Sequence, residues 1–454
     1  MAIGKISSEH FSIFKHTIRW SLLTIPVAAC IGSVVAFFLW LLDIVTHIRW
    51  QHSYLLYLLP IAGIAIYFLY KLFGKNSERG NNLIIEEIHE PGGGVPARMA
   101  PLVLISTIIT HLFGGSAGRE GTAVQMGGSI ASAFAKWLKL SKEDVQILLT
   151  AGIAAGFGAV FGTPVTGSIF AMEVLAIGII QYNAILPCLI AGVTGHVACS
   201  VWGIHHTEYH IAVSSGISHT LISYANLWLL AKTIIAGIAF GLASFLFIAT
   251  VHRLKSTWQA VIKIEWLIPV AGAALIILLC FLLQTNDYLG LGVTSNNANG
   301  VSIVSSFAPG GATSWSWFWK LLFTAITLSS GFKGGEVTPL FFIGAALGNT
   351  LATIFHVPID LFAGLGFIAV FAGATNTPLA CTIMGVELFG GEHILLYAVA
   401  CFTAYLFSGH ASIYNAQKIE ILKAPGASLS LKEAEAKRKA FRKSLLDKIN
   451  KPKP

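Results

Sequence analysis

Apolar residues do not alternate with polar ones along this chain; they come in long unbroken blocks. Blocks that span or nearly span a bilayer lie at residues 21–42, 54–73, 145–160, 221–251, 267–283, 361–374 and 393–407. Continuous runs of this kind predict helices and argue against a β-barrel, whose strands alternate. Between the long blocks lie shorter apolar pieces broken by glycine. With 45 glycines in the chain, these pieces predict tilted, closely packed and re-entrant helices rather than a bundle of straight spans. Ten or more membrane-embedded helical segments are expected.

The polar interruptions repeat. Gly118-Arg119-Glu120-Gly121-Thr122 is echoed by Gly335-Glu336-Val337-Thr338-Pro339, so the glycine-rich loop recurs 217 positions later. Thr163-Pro164-Val165-Thr166 is echoed by Thr377-Pro378-Leu379-Ala380, 214 positions later. Each Thr-Pro is followed, five and nine residues after the proline, by an isoleucine (Ile169, Ile383) and a glutamate (Glu173, Glu387). A duplication in an apolar chain marks a transporter built from two structural repeats, with its site where broken helices from both halves meet. The expected organisation is a cytosolic segment 1–20, a first membrane repeat 21–203, an external loop 204–224, a second repeat 225–416 and a basic cytosolic tail 417–454.

Composition fits the same solvent. Hydrophobic residues make up 55% of the chain and charged residues 11%, against about 25% charged in a soluble domain. The net charge of +8 is not spread evenly: residues 417–454 hold 11 Lys or Arg and 4 Asp or Glu. This tail reads as a cytosolic segment near anionic lipid; no other feature supports nucleic-acid binding. Lys5, Lys15, Arg19, Lys71, Lys75, Arg79, Arg253, Lys255 and Lys263 flank spans, and the positive-inside rule puts them and both termini in the cytosol. The first apolar block starts late and is too long for a cleavable signal. Six cysteines lie in apolar segments without metal-like spacing, which predicts buried thiols and no disulfide. No metal or cofactor is implied.

Three glycine-led loops carry the candidate chemistry: Gly80-Asn81-Asn82-Leu83-Ile84, residues 118–122 and residues 334–339. Glycine lets the backbone turn and leaves the next helix's first N–H groups pointing outward, where the helix dipole favours an anion. Convergent helix starts would bind an anion without the full positive charge that holds it too tightly for release. Glu120 is the sharpest residue, because an acid at membrane depth is a functional hypothesis by default; the bland reading pairs it with Arg119. Glu173 and Glu387 read as reaching interfacial water.

The stretches GSAGREGT, GTPVTGSIFAMEV and GGEVTPLFFIGAALG resemble the signature regions of the CLC anion channels and transporters, over roughly residues 80–414. The resemblance implies an all-α polytopic fold of two inverted repeats, a homodimer with one pathway per subunit, and Glu120 as an external gating glutamate. That carboxylate would occupy the anion site and leave it when protonated. Asn81, Gly118, Arg119, Gly121, Val337, Thr338 and Tyr414, the last in SIYNAQK, would line the anion path. Chloride-handling members usually read GSGIP, GREGP and GxFxP; this chain has Asn81, Thr122 and Val337 at odds with them, with Glu336 before Val337 and Val174 where exchangers carry an internal proton glutamate. That combination resembles the fluoride/proton antiporter branch and implies fluoride export from a bacterial inner membrane. The alternative is a chloride channel or chloride/proton exchanger.

Fluoride is small and strongly hydrated, so stripping its water needs close donors; the Asn81 amide and the Thr338 and Tyr414 hydroxyls supply them. Glu336 would repel an anion unless protonated or paired. It either pairs with Lys333, carries the proton that Val174 cannot, or orders its loop by hydrogen bonds. An intramembrane enzyme is a third class of reading, prompted by His205, His206 and His210. Their spacing is not that of a zinc protease, and they read as a solvated external loop. A regulatory subunit is disfavoured by the intact Glu120 and Tyr414, and the tail is too short for paired regulatory domains.

Overall fold

The computed structural model describes residues 2–212 and 224–423. Fifteen α-helices lie among the described residues: α1 (Ala2–Gln51), α2 (Leu59–Phe73), α3 (Asn81–His89), α4 (Met99–Leu112), α5 (Glu120–Trp137), α6 (Lys142–Phe161), α7 (Pro164–Glu173), α8 (Ile185–Val201), α9 (Tyr224–Val261), α10 (Leu267–Leu283), α11 (Ser316–Ser329), α12 (Val337–Phe355), α13 (Ile359–Thr375), α14 (Pro378–Phe389) and α15 (Ile394–Phe407). Six helical stretches are long and apolar enough to cross a membrane, and five shorter apolar ones accompany them. The apolar blocks of the sequence fall largely within these helices; residues 54–58 form a 3-10 turn leading into α2, and 221–223 lie outside the described residues.

Seven helices recur in order: α1, α2 and α4–α8 match α9–α15, and α3 alone has no counterpart. The starts of α5 and α12, at Glu120 and Val337, keep the 217-residue offset of the glycine loops. Equivalent helices pack on equivalent neighbours: α5 on α6 as α12 on α13, and α1 on α8 as α9 on α15. Where equivalent segments touch they run antiparallel, as in the bridge between Gly118 and Gly335. The two halves are therefore inverted relative to each other.

Without a hydrophobic drive between helices in lipid, packing rests on close van der Waals contact. The glycines supply it in matched places. A Cβ on Gly127 of α5 would lie 2.2 Å from the Gly152 carbonyl of α6. A Cβ on Gly344 of α12 would lie 2.0 Å from the Gly366 carbonyl of α13. Larger residues would push both helix pairs apart.

Helix α1 runs unbroken from Ala2 through residue 20. At about 75 Å for its 50 residues, it outruns a hydrocarbon core of about 30 Å. Arg19 on α1 pairs with Asp144 at the start of α6, which sets one face of the molecule. The 20 residues of α6 rise about 30 Å and end at Gly162 near the opposite face. A short parallel pairing, β1 (Ala176–Ile177) with β2 (Lys418–Ile419), fastens the chain after α15 to the end of α7. Residues 424–454, most of the basic tail, and 213–223 of the long loop lie outside the described residues. Cys188, Cys199, Cys280, Cys381 and Cys401 are buried free thiols, while Cys30 is half-buried.

Candidate functional site

The two glycine loops meet backbone to backbone. Gly118 N–H donates to the Gly335 carbonyl at 2.6 Å, and Gly335 N–H donates to Gly118 at 2.7 Å. A Cβ on Gly335 would sit 2.7 Å from the Gly121 nitrogen, so only glycine permits this approach. The pairing brings the starts of α5 and α12 side by side, with their unpaired N–H groups converging.

The Glu120 side chain fills the space so made. It crosses from α5 to the start of α12, where its carboxylate accepts from the Thr338 N–H at 3.0 Å and the Thr338 hydroxyl at 2.5 Å. The Arg119 N–H adds a bond at 3.1 Å, and the Arg119 Nε stands 3.7 Å away. The residue is 1% exposed. A negative group thus rests on donors from both repeats, with the dipole of α12 behind it. The pairing with Arg119 is present but secondary, since the shorter bonds go to Thr338.

The third helix start joins them. Gly80 takes a positive φ of 54° before α3, a conformation open to glycine, and Asn81 follows at the helix start. The Asn81 Nδ2 lies 3.3 Å, and the Glu336 Oε2 3.7 Å, from the point where a Cβ on Gly121 would stand. Asn81 is buried, and its Oδ1 has no partner. Tyr414 is buried at 4% exposure, and its electrostatic neighbours are Glu336 and Glu120. Asn81, Gly118, Arg119, Glu120, Gly121, Glu336, Val337, Thr338 and Tyr414 therefore gather about one locus.

Several sequence expectations need correcting. Lys333 does not pair with Glu336: its ammonium stands over the Tyr70 ring, 4.4 Å from the centroid, and no ion pair joins the two among the described residues. Glu173 is buried and does not reach out to water, and Glu387, partly exposed, is bonded to backbone as well. The Glu173 carboxylate accepts from Leu379 N–H at 3.1 Å and Ala380 N–H at 2.8 Å, at the start of α14. Glu387 accepts from Val165 N–H at 3.0 Å, Thr166 N–H at 2.7 Å and the Thr166 hydroxyl at 2.6 Å, at the start of α7. Each short helix is capped by the acid at the far end of the other. Thr122, which stands where related chains read proline, bonds hydroxyl to hydroxyl with Thr107 on α4 at 2.7 Å.

The histidine loop is only partly solvated. His205 and His210 are exposed, but His206 folds inward against Gly162. Burial first, and then the nearby Arg119, push its imidazole down to about 4. It shares a cavity of about 20 Å³ with Arg119, Glu120, Tyr209, Thr338 and Phe341. Phe341 stacks on Phe367 of α13 at 3.9 Å between centroids, walling one side. Reading by motif missed this wall because its members are scattered aromatic and loop residues with no common spacing.

The family model described as voltage gated chloride channel matches residues 61–409. The chain belongs to this CLC family. A chloride/fluoride channel protein of Pseudomonas syringae pv. tomato is 45% identical over 417 residues, covering 90% of this chain and 89% of its own length. The crystal structure of a CLC-type fluoride/proton antiporter superposes with a TM-score of 0.82 at 35% identity, covering 89% of this chain and 98% of that one. A slow cyanobacterial Cl⁻/H⁺ antiporter, at 20% identity and a TM-score of 0.72 over 86% and 94% of the two chains, shares the fold. In this chain the helix starts at Asn81, Glu120 and Val337 converge, and the Glu120 carboxylate is hydrogen-bonded at the start of α12.

Proposed function

We propose that this CLC-type halide transport protein is a fluoride/proton antiporter that exports fluoride from the cytoplasm, with the face of Arg19 and both termini cytosolic. The observation that carries the reading is the seat of Glu120. Its carboxylate takes the Thr338 N–H and hydroxyl, donors that fit a small, strongly hydrated anion. Carboxylate and fluoride compete for the same donors, so two negative charges exclude each other there. Protonation weakens the hold of Glu120 and frees the donors for fluoride, which ties one ion's movement to the other's. Asn81 and Tyr414 add donors beyond this seat, and Glu336, with Lys333 turned to Tyr70, serves as the second proton carrier where Val174 cannot. The likeness to a fluoride/proton antiporter at 35% identity and to a chloride/fluoride channel protein at 45% supports halide selectivity of this kind. The working unit is a homodimer in the lipid bilayer with one pathway per subunit.

The test is ion flux in sealed liposomes holding the purified protein. An outward fluoride gradient should drive protons inward against a pH gradient, with chloride much slower. Equal fluoride and chloride fluxes would reject the selectivity, and fluoride flux with no proton movement would make the protein a channel.

A further inference from the structure

We propose that His206 is the residue that passes protons between Glu120 and the water on the face opposite Arg19. This rests on the antiport reading above and adds the route its proton takes. The cavity of about 20 Å³ in front of Glu120 holds about one water molecule. Beside Arg119, Glu120 and Thr338 it is lined by phenylalanine, valine and leucine side chains and by His206, Thr207 and Tyr209. Phenylalanines, valine and leucine cannot carry a proton, and a guanidinium does not release one. Tyr209 packs its ring among Phe307, Phe367 and Phe389. Apart from Glu120 itself, His206 is the lining side chain with two ring nitrogens, one able to accept a proton while the other releases one.

Its placement suits the task. The His206 Nε2 is buried and has no hydrogen-bond partner, a state that a bridging water relieves. The ring rests on Gly162, where a Cβ would come within 2.5 Å of the imidazole Cδ2, so the lack of a side chain there makes room for it. Behind it, the His196 ring of α8 stacks at 6.0 Å, and its Nδ1 is likewise buried without a partner. The residue as a whole is partly exposed, which opens it to outside water. The charged and titratable groups around it are Arg119 and Glu120 of the α5 start, His196 of α8, and His205 and Tyr209 of its own segment; the lining residues of α6, α12, α13 and α14 bring none. A neutral imidazole has one N–H and one lone pair. It takes a proton on one nitrogen from outside water and gives one up from the other, through the cavity water, to the Glu120 carboxylate.

The experiment measures fluoride-driven proton uptake in liposomes for the wild type, H206Q, H206F and H206A, with and without external imidazole. The wild type must first show coupled exchange; if it does not, the antiport reading fails and not this one. Proton uptake by H206A and H206F should slow on the order of tenfold or more at near-neutral external pH. Imidazole should restore H206A, where the ring's place is empty, and not H206F. A merely structural histidine would not respond to imidazole. Wild-type proton rates in H206Q and H206F, or slow uptake in H206A that imidazole leaves unchanged, would overturn the proposal. H206Q, the smallest change, keeps the question open to an answer if a larger variant fails to run as a single species by size exclusion.

Discussion

Two of the contacts that join the repeats of this chain invite comparison, and only one of the pair is symmetric. At the Thr-Pro helices, Glu173 caps α14 and Glu387 caps α7, so each half does for the other what it receives. At the glycine loops, the backbones exchange equal hydrogen bonds through Gly118 and Gly335, but the side chains do not. Glu120 reaches across to Thr338; the residue 217 positions on is Val337, which returns nothing. The symmetric contact can only hold. The asymmetric one places the Glu120 carboxylate among donors built by both halves, which suits the anion site proposed above. The symmetry supplies the frame, and its breach supplies the chemistry.

Removing the asymmetric carboxylate has the largest expected effect. Glu120→Gln keeps the shape but cannot titrate, and should abolish proton-coupled exchange in liposomes whether or not an anion leak remains. Unchanged proton pumping would end the role given to Glu120. Restoring symmetry should damage nearly as much. Val337→Glu sets a further acid beside Glu120 and Glu336, and like charges resist joint ionisation. Fluoride flux should fall roughly tenfold or more at neutral pH, for an interaction worth at least about 1.4 kcal/mol. It should recover partly as pH drops and one carboxyl takes a proton; a flux independent of pH would contradict this.

A smaller effect separates the two neighbours in the second loop. Glu336→Gln should slow coupled transport about tenfold, whereas Lys333→Met should stay within about twofold, because the Lys333 ammonium faces Tyr70 and not Glu336. Equal damage in the two variants would revive the ion pair. The symmetric clasp should affect stability rather than coupling. Glu173→Gln and Glu387→Gln should each cost about 1.5–3 kcal/mol, as for hydrogen bonds to charged groups, read by thermal unfolding in detergent. Glu387→Gln should be the costlier, since it also loses the Thr166 hydroxyl. A large gap in the other direction would break the symmetry claim.

Much of this was legible beforehand, for identifiable reasons. Apolar blocks report spans directly, so the helices could be placed. Matched loops report a duplication, so the convergence near Glu120 could be anticipated from Gly118 and Gly335 alone. Partners were harder, because spacing along the chain does not say which end of which helix a side chain meets. Glu173 and Glu387 were visible as a matched pair, yet their exchange between helices needed the antiparallel packing of α7 and α14. Lys333 lies three residues from Glu336 in sequence but points at Tyr70. His206 looked like its exposed neighbours, and Lys320 drew no notice; it is fully buried, its Nζ donating to the Tyr288 and Gly290 carbonyls at 3.1 and 2.8 Å. Both depend on distant backbone that no local pattern encodes.

The crossed caps on α7 and α14 also decide what kind of machine this is. They rivet the two halves at both ends of a helix pair about 15 Å long, one rivet toward each face. Tilting one half against the other would tear charge-assisted bonds from a helix start whichever way it leaned. On the antiport reading, what must move is one side chain, Glu120, swinging in a fixed wall like the arm of a turnstile. That swing breaks the bonds to Arg119 N–H and Thr338 and needs no movement of a domain. A disulfide engineered between α7 and α14 should therefore leave turnover within about twofold of the wild type, and arrest on oxidation would show that the wall itself must move.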